Sequence, residues 1–580
     1  MADGAAPEHG SGWGRVLALV GVVTVLRLAY LVWFCPYGLI EDEAYYWLWS
    51  EHPDWSYLTK GPGVAQAIAL GTLVLGDAEA GVRLTAPLWG ALLAIGVAGL
   101  AGRIAGGGHG PDPAADAARV ARARWWGAAA ALLTPALQAL TILMTIDGPM
   151  LACMAIGLWA ACACVDPGRG DGRASPGAWI ALGLSLGVGV LFKPVVLFVL
   201  VGLAAAMLGS RGGRALGRGW GVLCGVALLL IAAGFAPMLV WNAQHGWAMA
   251  RHLGEHLQAE GGDGPTVARR LGWVGEYAGL QVALGGFGLV AGVVGGLRWG
   301  RRGSQADAAA AAHSESAQPS RSGRAGSGRS AFRIAIFASL GVYAMYLLVS
   351  LSTRVEGNWA LGGMPGMLAI GAAWLAGATS RRAWALAVVL RRGLVVIGLA
   401  SGFGMLRLDW IAAAPRVGHL VPIGRVMSGP AMAAGVRERL ERLDAERVGQ
   451  EGGTGGVGPA FVLTDHYGRA AQMAFYLPGR TVSCTSGTLD GRTTQFDLWA
   501  ETRLDNAALL GRSAVLLSGK PENWSRGFAR IEEVGPIEGD HRQRRVFEGW
   551  GYNGFAGLAE GGGADATPIP AGTEALEGGG

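Results

Sequence analysis

Apolar runs long enough to cross a bilayer recur along this chain, separated by short polar segments. A spanning helix needs roughly 20 mostly apolar residues, and by that measure about eleven candidates are present. They lie near residues 16–36, 80–104, 124–143, 147–165, 178–192, 194–209, 217–240, 277–299, 331–352, 359–379 and 393–410. The apolar segment 64–76 is shorter and reads as re-entrant, interfacial or part of a longer second helix. The run from Val16 to Phe34 follows Arg15 and is not followed by a small-x-small cleavage site, so it reads as a retained first helix.

Beyond the last span the pattern changes. Residues 429–446 ("GPAMAAGVRERLERLDAE") have the spacing of an amphipathic helix, and 459–550 alternate short β-like runs ("AFVLT", "AVLLS", "RRVFEGW") with a helical one ("YGRAAQMAFYL"). The expected organisation is a transmembrane domain over 1–410, an amphipathic linker over 411–455, a small α/β domain over 456–555 and an unstructured tail over 556–580. The loop 302–330, rich in Ala, Ser, Gly and Arg without an apolar period, is expected to lack regular structure. The fold class predicted is therefore an α-helical polytopic membrane protein with a small C-terminal α/β domain.

Arginines sort the loops into two sets. Arg103, Arg119, Arg122 and Arg124 mark one loop; Arg169 and Arg173, then Arg211, Arg214 and Arg218, then the run Arg298 to Arg333, and finally Arg381, Arg382, Arg391 and Arg392 mark the others on that side. The positive-inside rule makes that side cytoplasmic. Residues 37–79, 144–147, the turn at Lys193, 241–276, 353–358 and everything after about residue 411 then face outward, as expected of an inner-membrane protein with its chemistry outside.

Composition agrees: 51% of residues are hydrophobic and only 15% charged, with a mean hydropathy of +0.35. The net charge of +5 does not point to nucleic acid, because the cations sit in short loops between apolar runs and not on one face. Of 47 basic residues only Lys60, Lys193 and Lys520 are lysine, which singles those positions out. Five of six cysteines lie in apolar runs and only Cys484 in a polar one, so neither a disulfide framework nor a CxxC pair is visible.

Four constellations carry candidate chemistry. In "IEDEAYYW" the adjacent acids Glu41, Asp42 and Glu43 repel one another, and a carboxylate with a raised pKa there suits proton removal from an acceptor. The alternative is an interfacial helix with Tyr45, Tyr46, Trp47 and Trp49 as an aromatic belt. In "TIDGPML", Asp147 lies at an outer turn and could equally be an ordinary N-cap. Lys60 in "YLTKGPG" and Lys193 in "LFKPVV" suit a phosphate counter-charge or simple snorkelling. The outward loops "WNAQHGW" and "TRVEGNWALGGMPG" add Asn242, His245, Arg354, Glu356, Asn358 and Trp359, of which the Trp and Asn side chains could hold a sugar ring by stacking and hydrogen bonds. His245, His252 and His256 lack a metal-ligand spacing, and Arg354 and Glu356 could pair at the surface. No GxxxxGK[ST] loop and no G-x-G-x-x-G after a strand is present, so neither ATP nor a Rossmann-bound nucleotide sugar is suggested.

Taken in order, these blocks resemble a known family. "EDEAYYWLWSEHPDWSYLTKGPGVA", "TIDGPMLACMAIGLWA", "GLSLGVGVLFKPVVL", "APMLVWNAQHGW", "RVEGNWALGGMPG" and "DHYGRAAQMAFYLPGR" are similar to successive blocks of the polyprenyl-phosphate-sugar glycosyltransferases of family 39 type, over roughly residues 15–550. That group includes relatives of protein O-mannosyltransferases and lipid A aminoarabinose transferases. The resemblance implies the GT-C fold and inverting transfer of a sugar from a polyprenyl-phosphate donor to a lipid, protein or glycan acceptor at the outer membrane surface. It implies catalytic roles for Asp42, Glu43 and Asp147, with Asp42 as base, and donor-phosphate contacts for Lys60, Lys193 and Arg354. Tyr45, Tyr46, Asn242, His245, Glu356, Asn358 and Trp359 would line the substrate site. Thr59 stands where relatives carry an acid, which favours Asp42 as base. No cofactor is called for; use of a divalent metal varies within the fold and is left open. The rival reading is a transporter or flippase of lipid-linked sugars, but the inverted repeats common in transporters are not visible. A third is an inactive scaffold, against which Asp42, Lys60, Asp147 and Lys193 argue.

Overall fold

A computed structural model describes residues 12–107, 112–165, 173–209, 217–258, 266–312, 322–416, 418–421, 423–450, 458–485, 493–517, 524–538 and 544–555. The predicted tail 556–580 lies outside the described residues. The first helices are α1 (Trp13–Trp33), α2 (Glu41–Glu51), α3 (Gly63–Leu75), α4 (Glu79–Arg83), α5 (Ala86–Ala105), α6 (Pro113–Leu133) and α7 (Pro135–Ala139). They are followed by α8 (Asp147–Val165), α9 (Pro176–Val190), α10 (Phe198–Gly209), α11 (Trp220–Gln244), α12 (Ala248–Gln258), α13 (Val267–Ala312) and α14 (Ser322–Val349). Then come α15 (Met364–Gly377), α16 (Arg381–Leu406), α17 (Leu408–Ala412), α18 (Gly424–Gln450) and α19 (Tyr467–Tyr476).

The protein is a multi-pass membrane protein. Each predicted apolar segment carries a helix, but among the described residues only 8 are long and apolar enough to span by composition alone. The expected count of about eleven is reached only by adding α6, α9 and α10. Arginines fill the first half of α6, while α9 and α10 are shortened by the break at Lys193–Pro194. The expectation of an irregular loop over 302–330 also fails at its described ends. Helix runs through Ala312, where the alanine-rich "ADAAAAA" favours it, and is present again from Ser322; 313–321 lie outside the described residues.

Helices α5, α8 and α15 form the buried centre, with α6 packed on α5 and α15, α9 on α8, and α13 on α15. Apolar surface gains little by leaving lipid, so close backbone approach through small residues holds such a bundle together. Gly96 of α5 against Ala155 of α8 is one such approach; a methyl group at Gly96 would lie 2.8 Å from the Ala155 backbone carbon. Helix α1 and helices α11 and α16 turn most of their apolar surface outward, as lipid-facing helices do.

Past α17 the chain forms a five-stranded mixed sheet in the order β2-β1-β3-β5-β4, from β1 (Phe461–Thr464), β2 (Val482–Cys484), β3 (Ala514–Leu517), β4 (Phe528–Glu533) and β5 (Val546–Tyr552). Its two faces follow the period of two. Val462, Val515 and Leu517 join the core shared with α18, α19 and the bundle, whereas Phe461, Leu463, Ala514 and Leu516 pack with Trp524, Phe528 and Tyr552 in a second core. Helix α18 buries Met432, Val436, Leu440 and Leu443, a helical stripe, against this sheet. Residues β2 and β4 were not anticipated as strands, being respectively three residues long and largely polar at the sheet edge.

Candidate active site

Helix α2 lies across the sheet-bearing end of the bundle. Its N-terminus is capped from within the first turn, where the Glu43 carboxylate accepts from the Ile40 backbone N–H at 3.2 Å. Successive helical residues point about 100° apart, so the three acids diverge. Glu43 is fully buried while Asp42 stays open to solvent in a recess of protein atoms. Burial raises the Asp42 carboxyl above the ordinary range; the charges of Glu41, Asp147 and Glu43 push the same way, and Lys60 opposes them.

Three other chain segments converge on Asp42. Asp147, the first residue of α8, is buried; its Oδ1 accepts from Lys193 Nζ at 3.0 Å and its Oδ2 from Asn358 Nδ2 at 2.8 Å. Lys193 sits in the break between α9 and the 3₁₀ turn Pro194–Leu197, extended at φ −160°. Pro194 enforces that extension, because an α conformation before proline clashes. Lys60 comes from a tight turn whose carbonyl accepts from Tyr57 N–H and Ser56 Oγ, each at 3.0 Å. Burial lowers the Lys60 pKa, Lys193 adds to that effect, and Asp147 and Asp42 oppose it. Two lysines and two aspartates thus share one electrostatic neighbourhood.

The lysines meet because "KGPG" lies flat on the end of α9. Gly63 N–H donates to the Leu191 carbonyl at 3.1 Å, and a methyl group at Gly61 would stand 2.4 Å from that same oxygen. Any side chain at Gly61 would lift Lys60 away from Lys193. Beyond the lysines, Trp359 packs against Tyr346 at 6.0 Å beside Asn358, and Tyr46 lies within electrostatic reach of both Asp42 and Asp147.

Several predicted site residues go elsewhere. Arg354, expected on the donor phosphate, is exposed and forms a forked ion pair with Glu276 of α13 (Nε to Oε1 3.0 Å, Nη2 to Oε1 2.5 Å), so its charge is already matched at the surface. Glu356, expected to line the substrate site, is exposed and contributes its carbonyl to the turn at Trp359. Tyr45 is buried among Trp49, Tyr467 and Phe496, and its hydroxyl accepts from Gln495 N–H at 2.8 Å; it joins α2 to the C-terminal sheet. Asn242 bonds Met238 O and Met249 N–H, closing the left-handed turn Gly246–Trp247, and His245 stacks on Trp241 at 4.1 Å. Glu43, expected to be catalytic, is held in a buried pair with Arg83.

Sequence reading missed three kinds of residue. Arg83 breaks the arginine pattern by lying on the arginine-poor side, a signal available but not used. Asp54 accepts from Trp241 Nε1 at 2.8 Å and lines a pocket of about 330 Å³ with Pro53, Trp55, Pro62, Gln66 and Pro237, next to the Lys60 turn. Finally, α19 clamps the approach to α2: Gln472 Nε2 donates to Leu39 O at 2.8 Å, and Tyr476 Oη accepts from Leu39 N–H at 2.8 Å. Among the described residues no group of three or more His, Cys, Asp or Glu side chains is placed to hold a metal ion.

Comparison with known proteins adds relatives to this geometry. Residues 114–241 match the profile of the family described as dolichyl-phosphate-mannose-protein mannosyltransferase, a stretch that holds Asp147 and Lys193 but not Asp42 or Lys60. The lipid A galacturonosyltransferase RgtD of Rhizobium johnstonii is 30% identical over 212 residues, 36% of this chain and 40% of the relative, so the alignment spans less than half of that protein. The fold is similar to two crystal structures of ArnT from Cupriavidus metallidurans. The apo form gives a TM-score of 0.53 at 15% identity, and the form bound to undecaprenyl phosphate 0.54 at 17%. Each covers 93% of this chain and 98% of ArnT.

Proposed function

We propose that this chain, similar in fold to ArnT and over residues 114–241 to the protein mannosyltransferase family, is a membrane glycosyltransferase. It moves a sugar from a polyprenyl-phosphate carrier to a lipid, protein or glycan acceptor, with inversion, on the outer face of the inner membrane. The observation that carries this reading is the meeting of Asp42 and Lys60 with the Lys193–Asp147–Asn358 chain in one recess. The arginine-poor loops that supply those residues support the outward orientation.

In this reading Lys60 and Lys193 face the donor phosphate, and Asp147 holds Lys193 while Asn358 fixes Asp147. The acceptor oxygen attacks the anomeric carbon from the side opposite the phosphate. As that bond forms, the bond from the anomeric carbon to the phosphate oxygen breaks, the polyprenyl phosphate leaves with the electron pair, and the acceptor proton passes to Asp42. A phosphate leaving group needs no general acid, only cations where charge develops.

The test is sugar transfer by purified protein in nanodiscs, offered a panel of undecaprenyl-phosphate sugars and lipid extracts, with products read by mass spectrometry. A glycosylated acceptor is expected; movement of donor across liposomes without any transferred sugar would favour the transporter reading instead. Within the same assay Gly61→Ala is expected to weaken undecaprenyl-phosphate binding about tenfold, roughly 1.4 kcal/mol, by displacing the Lys60 turn. Unchanged affinity in that variant would show that the turn does not set the lysine pair.

A further inference from the structure

Glu43 connects the two acids of the site. Its carboxylate takes four hydrogen bonds: from Arg83 Nε at 2.8 Å, Arg83 Nη2 at 2.5 Å, Ile40 N–H at 3.2 Å and Met144 N–H at 2.9 Å. The last of these leaves α2 altogether. Met144 belongs to the short segment that delivers Asp147, so a single carboxylate ties the helix bearing Asp42 to the chain bearing Asp147. Arg83 secures the same joint from below, donating to Tyr37 O at 2.9 Å and to Gly38 O at 2.7 Å in the approach to α2. Both side chains are withdrawn from solvent, at 1% and 0% exposure, so neither reaches a substrate.

Resting on the transfer reading above, we infer that Glu43 and Arg83 are positioning residues that set the separation between Asp42 and Asp147. A buried ion pair is seldom a net source of stability compared with an apolar pair of the same volume, so this one fits a specification role. A glutamine at 43 keeps the volume but replaces one acceptor oxygen by a donor, which opposes the guanidinium together with either the Met144 N–H or the Ile40 N–H. The Arg83 contact is lost in both orientations, together with the tie to the Asp147 segment or the cap on α2 itself, and α2 is free to turn.

The charge of Glu43 also reaches Asp42. The groups facing Asp42 are Glu41, Glu43 and the Tyr46 hydroxyl on its own helix, Lys60 on the following turn and Asp147 on α8. Glu43→Gln removes one negative neighbour and leaves Arg83 unmatched, and both changes favour the ionised form of Asp42. That shift reports the charge of Glu43, whereas loss of kcat in a folded variant that still binds donor reports the lost positioning.

The test uses the full chain in nanodiscs. Dicyclohexylcarbodiimide modifies protonated carboxyls, and its reaction at Asp42 is followed against pH by peptide mass spectrometry, beside transfer kinetics and undecaprenyl-phosphate binding. In Glu43→Gln the labelling midpoint is expected to move to lower pH, and kcat to fall about tenfold to a hundredfold, with donor KM within about twofold. Removing one partner of a buried pair is strongly destabilising, so Glu43→Gln/Arg83→Gln, which leaves no buried charge unmatched, is measured alongside. It is expected to fold and bind undecaprenyl phosphate like the wild type while kcat stays low. Wild-type kcat in the folded double variant, or an unmoved midpoint with unchanged kcat in Glu43→Gln, overturns the inference. If the wild type transfers no sugar at all, the transfer reading fails, yet a midpoint displaced in Glu43→Gln still supports the hold of Glu43 on Asp42.

Discussion

Asp42→Asn is expected to lower kcat about 10²- to 10⁴-fold, the usual range for loss of a general base, while folding and donor binding persist. Asparagine keeps the shape of the side chain but cannot take the acceptor proton. Stability should hold or improve slightly, because Asp42 sits among three other acids and burial already disfavours its charge. The measurement is single-turnover transfer with saturating donor, paired with a thermal melt in the same nanodiscs. Transfer within threefold of the wild type would remove Asp42 from the base role and turn attention to Glu41, the remaining acid of that turn.

The same environment fixes a pH signature. Asp42 acts as base only when ionised, and its carboxyl is raised, so activity is lost on the acid side at a higher pH than an ordinary aspartate would give. Lys60 serves phosphate only as a cation, and its pKa is lowered, so the alkaline limb falls below that of an ordinary lysine. The expected kcat/KM profile is a bell narrowed from both sides. Its limbs are macroscopic values of the site, set by Asp42 on the acid side and Lys60 on the alkaline side in mutual interaction. A flat profile over pH 5–10, on the order of the range where such groups titrate, would contradict the arrangement.

The recess was legible where chemistry conflicted with surroundings. Two lysines and two aspartates at the edges of apolar runs are costly to keep, and arginine placement alone put all four on one side. What the pattern could not show was direction around a helix. Glu43 adjoins Asp42 in sequence yet points into the bundle toward Arg83, and Tyr45, two residues further on, points toward the sheet. Nor could it show pairing in exposed loops: Arg354 looked available for phosphate, but its partner Glu276 lies 78 residues away. Arg83 was the recoverable miss, since it is a cation beside an apolar run on the arginine-poor side, where an acid partner lowers the cost of burial, and Glu43 is that acid. The sheet edge formed by β4 was unreadable for a different reason, because a solvated edge strand need not alternate.

Lys193→Met should have the second-largest effect, and it separates donor recognition from proton transfer. Methionine fills similar space without charge, so the variant loses a cation where phosphate charge develops; loss of one such electrostatic donor costs about 10²- to 10³-fold in rate. Because the ground-state donor is also an anion, undecaprenyl-phosphate affinity should fall as well, unlike in Asp42→Asn. The change also strips buried Asp147 of its ion-pair partner, leaving the Asn358 amide at 2.8 Å as its side-chain hydrogen bond among the described residues. Leaving a buried charge unpaired costs about 3–5 kcal/mol, so a lower melting temperature is expected too. Lys193→Met/Asp147→Asn removes that penalty, and its melt should recover toward the wild type while donor affinity stays weak. Recovery of both together would mean that Lys193 serves only to neutralise Asp147. Lys193→Arg supplies the complementary arm: it keeps the charge but presents a planar fork in place of a compact ammonium, and should restore affinity more fully than rate.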